Sequence, residues 1–231
     1  MTAALTTAPA AAPNTVHGNG FGSVVAGVVT SCLGAVGVWV GLLAMFGTVR
    51  PLHIGWLVPL SGVYLALDPL GGFFVALTGG VAIPVGLYSI GYARRAHLGR
   101  VPLAVLPVFV AAMLLVPAAG SVTTFLVAWE LMALASLILV LAEHTRPEVR
   151  SAGLMYAVMT QLGFVAILIG LMVLSAAGGA DRFAALGRVP DGARIAVLAL
   201  TVAGFGSKAG WCRCTPGCRG HTRRRPARCR R

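Results

Sequence analysis

The stretch FLVAWELMALASLILVL, residues 125–141, is apolar except for one carboxylate, Glu130, near its middle. A charged side chain at the centre of a membrane helix costs roughly 2.5–3.5 kcal/mol on insertion scales. Helices that retain such a residue generally use it to move ions or protons. We therefore expect Glu130 to mark a functional site inside a membrane-spanning helix.

The composition of the whole chain indicates an integral membrane protein. Of its 231 residues, 58% are hydrophobic and only 10% are charged, and the mean hydropathy is +0.88. A soluble domain carries about 25% charged residues. Several apolar runs are long enough to cross about 30 Å of hydrocarbon. The sequence therefore predicts an all-α fold, a polytopic transmembrane bundle of about six spans.

The net charge of +12 does not indicate a nucleic-acid partner, because the charge is unevenly distributed. Residues 211–231 hold eight arginines and no acidic residue, and removing these arginines lowers the net charge from +12 to +4. Four of the five cysteines also lie in this tail, so the body of the chain has no disulfide framework. We expect protons and the lipid bilayer, rather than nucleic acid, to be its partners.

The hydrophobic runs divide the chain into three parts. We expect residues 1–23 to be a flexible lead-in, residues 24–210 to be the transmembrane domain and residues 211–231 to be a separate basic tail. The predicted spans are residues 24–46, 70–92, 101–118, 122–141, 153–176 and 195–208. Pro107 should interrupt the third span. The broken segment 50–67 and the polar segment 143–150 should be loops.

Lys208 is the second charged residue that falls within a predicted span. Low dielectric disfavours the charged form of an acid or an amine, whereas close approach of the two stabilises both charges. Glu130 and Lys208 could therefore load and release a proton when their separation or hydration changes. The alternative is a static buried ion pair that only fixes helix packing.

Two further polar residues are candidates for a supporting role in proton transfer. Asp68 precedes Pro69, and an Asp at the N-cap before a Pro at the first helical position is a common helix start. The capping role alone accounts for Asp68, and a direct proton role is the lesser interpretation. Gln161 lies inside the fifth predicted span, where its amide could bind a file of water molecules or contact a neighbouring helix.

Four segments carry a resemblance to a known family. FLVAWELMALASLILVL, AGLMYAVMTQLGFVAILIGL and IAVLALTVAGFGSKAG resemble the antiporter-like membrane subunits of respiratory complex I. The segments resemble more closely the related subunits of membrane-bound hydrogenases, of the hydrogenase-4 component B or formate hydrogenlyase type. The segment LALDPLGGFFVALTGGVAIPVGLYSIGY resembles the family's Asp-opened helix. The resemblance covers about residues 60–210.

The resemblance implies that Glu130 and Lys208 form the entry half of a proton channel in the cell membrane. It implies a subunit without a cofactor or metal, whose partners are other membrane and peripheral subunits of an oxidoreductase complex. Electron transfer in those partners would drive proton translocation. Two alternatives stay open: a subunit of a multi-subunit cation/proton antiporter without redox chemistry, and a membrane scaffold with a basic metal- or nucleic-acid-binding tail.

The tail departs from the family pattern after Gly210. Relatives of this type continue after their Lys with a sequence like L-V-P-L-H-x-W-L-P, and they usually begin with one more membrane helix. Read one base early, codons allowed for the tail can encode LVPLHAWLPRAHPAAPSALSA, which resembles the missing continuation. We therefore expect residues 211–231 to be the product of a reading-frame shift that truncates a longer protein. The spacing of the Cys and His residues in this tail matches no common zinc site.

Overall fold

A computed structural model describes residues 20–47, 49–55, 62–95, 99–143 and 147–210 of the chain. The tail and most of the lead-in lie outside these residues. The described part contains six α-helices and two short strands. The helices are α1 (Gly20–Phe46), α2 (Pro69–Arg95), α3 (Arg100–Ala118), α4 (Val122–Val140), α5 (Pro147–Gly178) and α6 (Asp191–Lys208). The strands are β1 (Leu52–Ile54) and β2 (Val63–Leu65).

The chain forms a multi-pass membrane bundle, as the sequence predicts. Helices α1 to α5 are each long and apolar enough to cross a membrane. Helix α6 has 18 residues and carries three charged residues, Asp191, Arg194 and Lys208, so it falls outside that group. Helix α1 packs mainly on α2, α3 on α4, and α5 on both α4 and α6. Candidate residues on α4, α5 and α6 are thereby brought side by side.

Helices α1 and α2 approach closely through glycines that recur every seven residues on both helices. Glycines at 27, 34 and 41 face glycines at 86, 79 and 72. A Cβ added at Gly34 would lie 2.7 Å from the carbonyl oxygen of Gly79, and one at Gly27 would lie 2.6 Å from that of Gly86. Only glycine allows the two backbones this separation, as small residues do at other membrane-helix interfaces.

Two sequence predictions about element boundaries are wrong. Helix α3 continues through Pro107 without interruption. Membrane helices tolerate such a proline because neighbouring groups and small local adjustments satisfy the carbonyl that it leaves free. Helix α5 begins at Pro147, so the second half of the predicted polar loop is helical. Proline is favoured at the first helical position, where its missing N–H has no helical partner to lose.

The segments that connect α1 to α2, α3 to α4 and α5 to α6 are joined to one another by hydrogen bonds. We call them the loop layer, which consists of β1, β2 and residues 119–121 and 179–187. The two strands are antiparallel, with His53 opposite Tyr64. Gly120 N donates to Tyr64 O at 2.9 Å, and Phe183 N donates to Gly120 O at 3.1 Å. Backbone groups outside helices thus find partners within the layer, as burial at a membrane surface requires.

Candidate functional site

Glu130 lies near the middle of α4. Ser121 caps this helix, since its Oγ accepts a hydrogen bond from Thr124 N at 3.2 Å. Glu130 is eight residues beyond the first helical residue, Val122, which places it about 12 Å along the helix axis. The carboxylate therefore lies near the middle of α4, at the level of the membrane interior that the apolar sequence around it predicts, and the residue is half-buried.

Gln161 on α5 holds one oxygen of this carboxylate. Its Nε2 donates to Glu130 Oε1 at 2.9 Å. The other oxygen, Glu130 Oε2, is buried and has no hydrogen-bond partner in the described part of the chain. The carboxyl group is thus positioned through one oxygen, while the second keeps its lone pairs uncommitted to the protein.

Lys208 is the last residue of α6, and its amino group lies within 6 Å of two aromatic ring centres. Nζ is 5.7 Å from the centre of the Trp129 ring and 5.9 Å from that of Tyr156. Both distances fall within the range of about 6 Å for cation–π contact. Lys208 Nζ is buried, and none of the described residues accepts a hydrogen bond from it. Ser207 Oγ donates to Met159 O at 2.9 Å, which ties this end of α6 to α5.

The structure does not form the static ion pair that the sequence leaves as an alternative. No carboxylate oxygen of Glu130 lies within 4.0 Å of Lys208 Nζ. Trp129 and Glu130 are consecutive and therefore point about 100° apart around α4. Trp129 contacts Lys208 on α6, whereas Glu130 contacts Gln161 on α5. Two buried ionisable groups thus share one region of the bundle without neutralising each other directly.

Aromatic residues, which the sequence analysis did not assign to the site, border it on two sides. Trp129 packs edge-on to Phe205 with 5.1 Å between ring centres, and Phe125 stacks on Trp129 at 5.7 Å. Tyr156 shares a hydrogen bond of 2.7 Å with Ser136 Oγ. The adjacent WE pair in the opening stretch is the sequence signal that points to Trp129. Tyr156 has no comparable signal.

Asp68 lies apart from this cluster, at the start of α2. Its Oδ1 accepts a hydrogen bond from Gly71 N at 2.7 Å, in the N-cap arrangement that the sequence predicts. Its side chain makes no described contact with Glu130, Gln161 or Lys208. A supporting role of Asp68 in proton transfer stays a prediction. Within the described residues, no group of three or more His, Cys, Asp and Glu side chains could hold a metal ion.

Comparison with known sequences places both charged residues inside a family match. The family described as NADH:quinone oxidoreductase/Mrp antiporter, TM matches residues 119–212. An uncharacterized protein of Mycobacterium tuberculosis is 76% identical over 184 residues, covering 80% of this chain and 29% of its own length. The chain thus spans less than a third of that relative.

Two relatives with named functions are more distant. Hydrogenase-4 component B of Escherichia coli is 29% identical over 151 residues, which is 63% of this chain and 22% of that protein. NADH-quinone oxidoreductase subunit L of Mycobacterium tuberculosis is 29% identical over 182 residues, which is 74% of this chain and 29% of that protein. Each therefore extends well beyond the region that the two sequences share.

A solved structure contains a chain with a similar fold. The Mrp complex from Dietzia sp. DQ12-45-1b contains a chain that aligns with a TM-score of 0.66 and 19% identity, covering 82% of this chain and 23% of its own. The match includes the helical bundle described above. The family match that includes Glu130 and Lys208, the named relatives and this shared fold together make the chain similar to the antiporter-like membrane subunits of the complex I, hydrogenase and Mrp family.

Proposed function

We propose that Glu130 and Lys208 carry protons through this subunit, driven by electron transfer in partner subunits. The observation that carries the proposal is the pair of buried atoms, Glu130 Oε2 and Lys208 Nζ, that lack hydrogen-bond partners within the described residues. Buried polar groups are generally paired, so two exceptions in one region suggest a functional purpose. Ionisable residues inside a membrane bundle most often mark proton or ion pathways.

The geometry suits transient rather than permanent charge pairing. Gln161 fixes the Glu130 carboxyl through one oxygen and leaves the other available to receive or release a proton. The aromatic rings beside Lys208 can stabilise its cationic form without accepting its protons as a carboxylate would. A small movement of α6 relative to α4 would change the separation of the two groups and hence the stability of their charges.

The names of two relatives support the proposal that partner subunits carry out electron transfer. Hydrogenase-4 component B and NADH-quinone oxidoreductase subunit L both bear the names of oxidoreductases. Under this proposal, the redox centres lie in partner membrane and peripheral subunits, and this subunit itself holds no cofactor. The complex resides in the cell membrane.

A cation/proton antiporter without electron transfer is the second candidate function. The family match that includes both Glu130 and Lys208 is shared by oxidoreductase subunits and Mrp antiporters. The same two residues would then exchange protons against another cation, with the cation gradient as the source of energy. The two functions differ in what drives proton movement, and this difference can be measured.

The test is proton uptake by everted membrane vesicles from cells in which the chromosomal gene encodes Glu130→Gln. We expect the initial rate of uptake driven by an electron donor to fall at least about tenfold, since a positioned acid–base group contributes roughly 100-fold or more to proton transfer. Asp191→Asn is the matched control, because it removes an exposed carboxylate at the start of α6. Its uptake rate should equal that of the wild type.

Two outcomes decide between the candidates. Uptake driven by the electron donor and lost in Glu130→Gln supports the redox-coupled function. Uptake driven only by an imposed cation gradient, and lost in the same variant, supports the antiporter. Normal uptake in both Glu130→Gln and Lys208→Met, with the protein present at wild-type level, would contradict any proton-carrying role for the two residues.

A further inference from the structure

Two apolar grooves run along the contact between α1 and α3, and neither Glu130 nor Lys208 lines them. The first has a volume of about 430 Å³ and lies between residues 21–29 of α1 and residues 100–107 of α3. The second has a volume of about 400 Å³ and lies between residues 33–40 of α1 and residues 111–118 of α3, beside β1 and β2. Both volumes fall in the range of roughly 300–1,000 Å³ that is common for small-molecule sites.

Each groove has a single charged residue in its lining. Arg100 belongs to the first groove and Arg50 to the second, and the other lining residues of both are apolar or glycine. Both arginines are exposed. Within the described residues, neither guanidinium has an ion pair or a hydrogen bond. Each groove therefore combines an apolar wall with one unpaired positive charge.

The two arginines lie at opposite faces of the membrane. Arg100 is the first residue of α3, on the side where α1 also begins, whereas Arg50 follows the end of α1. Helix α3 has 19 residues and is therefore about 27 Å long, close to the hydrocarbon thickness of about 30 Å. The first groove thus faces one leaflet and the second groove faces the other, each with its charge at headgroup depth.

We propose that each groove binds one anionic phospholipid, with an acyl chain against α1 and α3 and the phosphate against Arg100 or Arg50. The apolar walls match an acyl chain in chemistry, and a guanidinium forms paired hydrogen bonds with a phosphate group. Basic pockets between membrane helices bind anionic headgroups by the same electrostatic attraction. An apolar protein segment would cover the walls but would leave both arginines unpaired.

The test uses the full-length protein, purified in detergent and analysed by native mass spectrometry while phosphatidylglycerol or phosphatidylcholine is added. We expect two phosphatidylglycerol molecules to bind more tightly than phosphatidylcholine. Arg50→Gln and Arg100→Gln should each weaken one of these sites about fivefold, the effect of one basic residue near anionic lipid. Arg188→Gln removes an exposed arginine that lines neither groove and should leave binding unchanged.

A second pair of variants tests the apolar wall at constant charge. Ala104 lines the first groove, so Ala104→Trp should fill it and weaken binding of both lipids at that site. Ala152→Trp is the control, because Ala152 is exposed at a similar distance from the start of α5 and lines neither groove. Equal affinity for the two lipids, or unchanged phosphatidylglycerol binding in the Arg50→Gln/Arg100→Gln double variant, would overturn the proposal.

Discussion

The two oxygens of Glu130 have different environments, and this asymmetry is the main feature of the site at the scale of single residues. Oε1 accepts from Gln161 at 2.9 Å, while Oε2 has no partner among the described residues. The sequence identifies Glu130 because a carboxylate inside an apolar run is unusual. From the sequence, Gln161 could bind water or contact a neighbouring helix. The structure shows that it contacts Glu130 on the neighbouring helix α4.

Gln161→Leu should destabilise the bundle by about 1 kcal/mol, because it removes the one described donor to the Glu130 carboxyl. The measurement is unfolding of the protein in mixed micelles by added SDS, followed by circular dichroism. In a Glu130→Leu background the same change should cost almost nothing, since the donor no longer has its acceptor. Equal costs in the two backgrounds would show that Gln161 acts independently of Glu130.

At the scale of elements, the glycine spacing decides how closely α1 and α2 pack. The seven-residue glycine spacing on the two helices was not among the predictions made from the sequence. The pattern is visible in the sequence as glycines at 27, 34 and 41 and at 72, 79 and 86. A search for heptad glycines in neighbouring spans would have predicted this helix pair.

Gly79→Ala should destabilise the α1–α2 pair by about 1–3 kcal/mol, the usual cost of overpacking. The added Cβ would lie 2.8 Å from Val38 N on α1, so the backbones must move apart. Gly80→Ala is the matched control on the next residue, where no atom lies within 4 Å. Since alanine favours helix more than glycine does, this control should be neutral or slightly stabilising in the same unfolding assay. Equal losses in both variants would contradict close packing at Gly79.

At the scale of the whole molecule, the loop layer joins the connections between different helices. Asp181, from the α5–α6 connection, binds the start of α4: its Oδ1 accepts from Thr123 N at 3.0 Å and from Thr123 Oγ1 at 2.8 Å. Arg182 lies over the Tyr64 ring at 4.4 Å, which joins β2 to the same connection. The layer thereby helps to hold α4 and α6, which carry the two charged residues, in position.

Asp181→Ala should loosen this side of the bundle, because it leaves the Thr123 N–H and hydroxyl without their described acceptor. We expect a loss of about 1–3 kcal/mol in local stability and faster hydrogen exchange at the Thr123 amide, measured by mass spectrometry. Asp191→Ala is the control, since its carboxylate is 93% exposed and pairs with Arg194 only at the surface. Unchanged exchange at Thr123 in Asp181→Ala would contradict the role of the loop layer.

Local patterns were sufficient to predict the membrane class, the approximate limits of the helices and the N-cap at Asp68. They failed where a residue's effect depends on its neighbours: Pro107 does not interrupt α3, and residues 147–150 are helical. The three-residue strands β1 and β2 are too short for a repeating pattern, so the loop layer was not predicted. Each strand forms only because another segment supplies its hydrogen-bond partners.

By itself, the sequence determined that the chain crosses the membrane several times and that Glu130 and Lys208 are its unusual residues. Hydropathy and charge depend on residue type and on the length of a run, so both can be read locally. Only the tertiary structure decided that Gln161, 31 residues from Glu130, holds the carboxyl and that Trp129 and Tyr156 surround the amine. Those contacts depend on the rotation and register of packed helices, which are set by interhelical packing rather than by the pattern of any one helix.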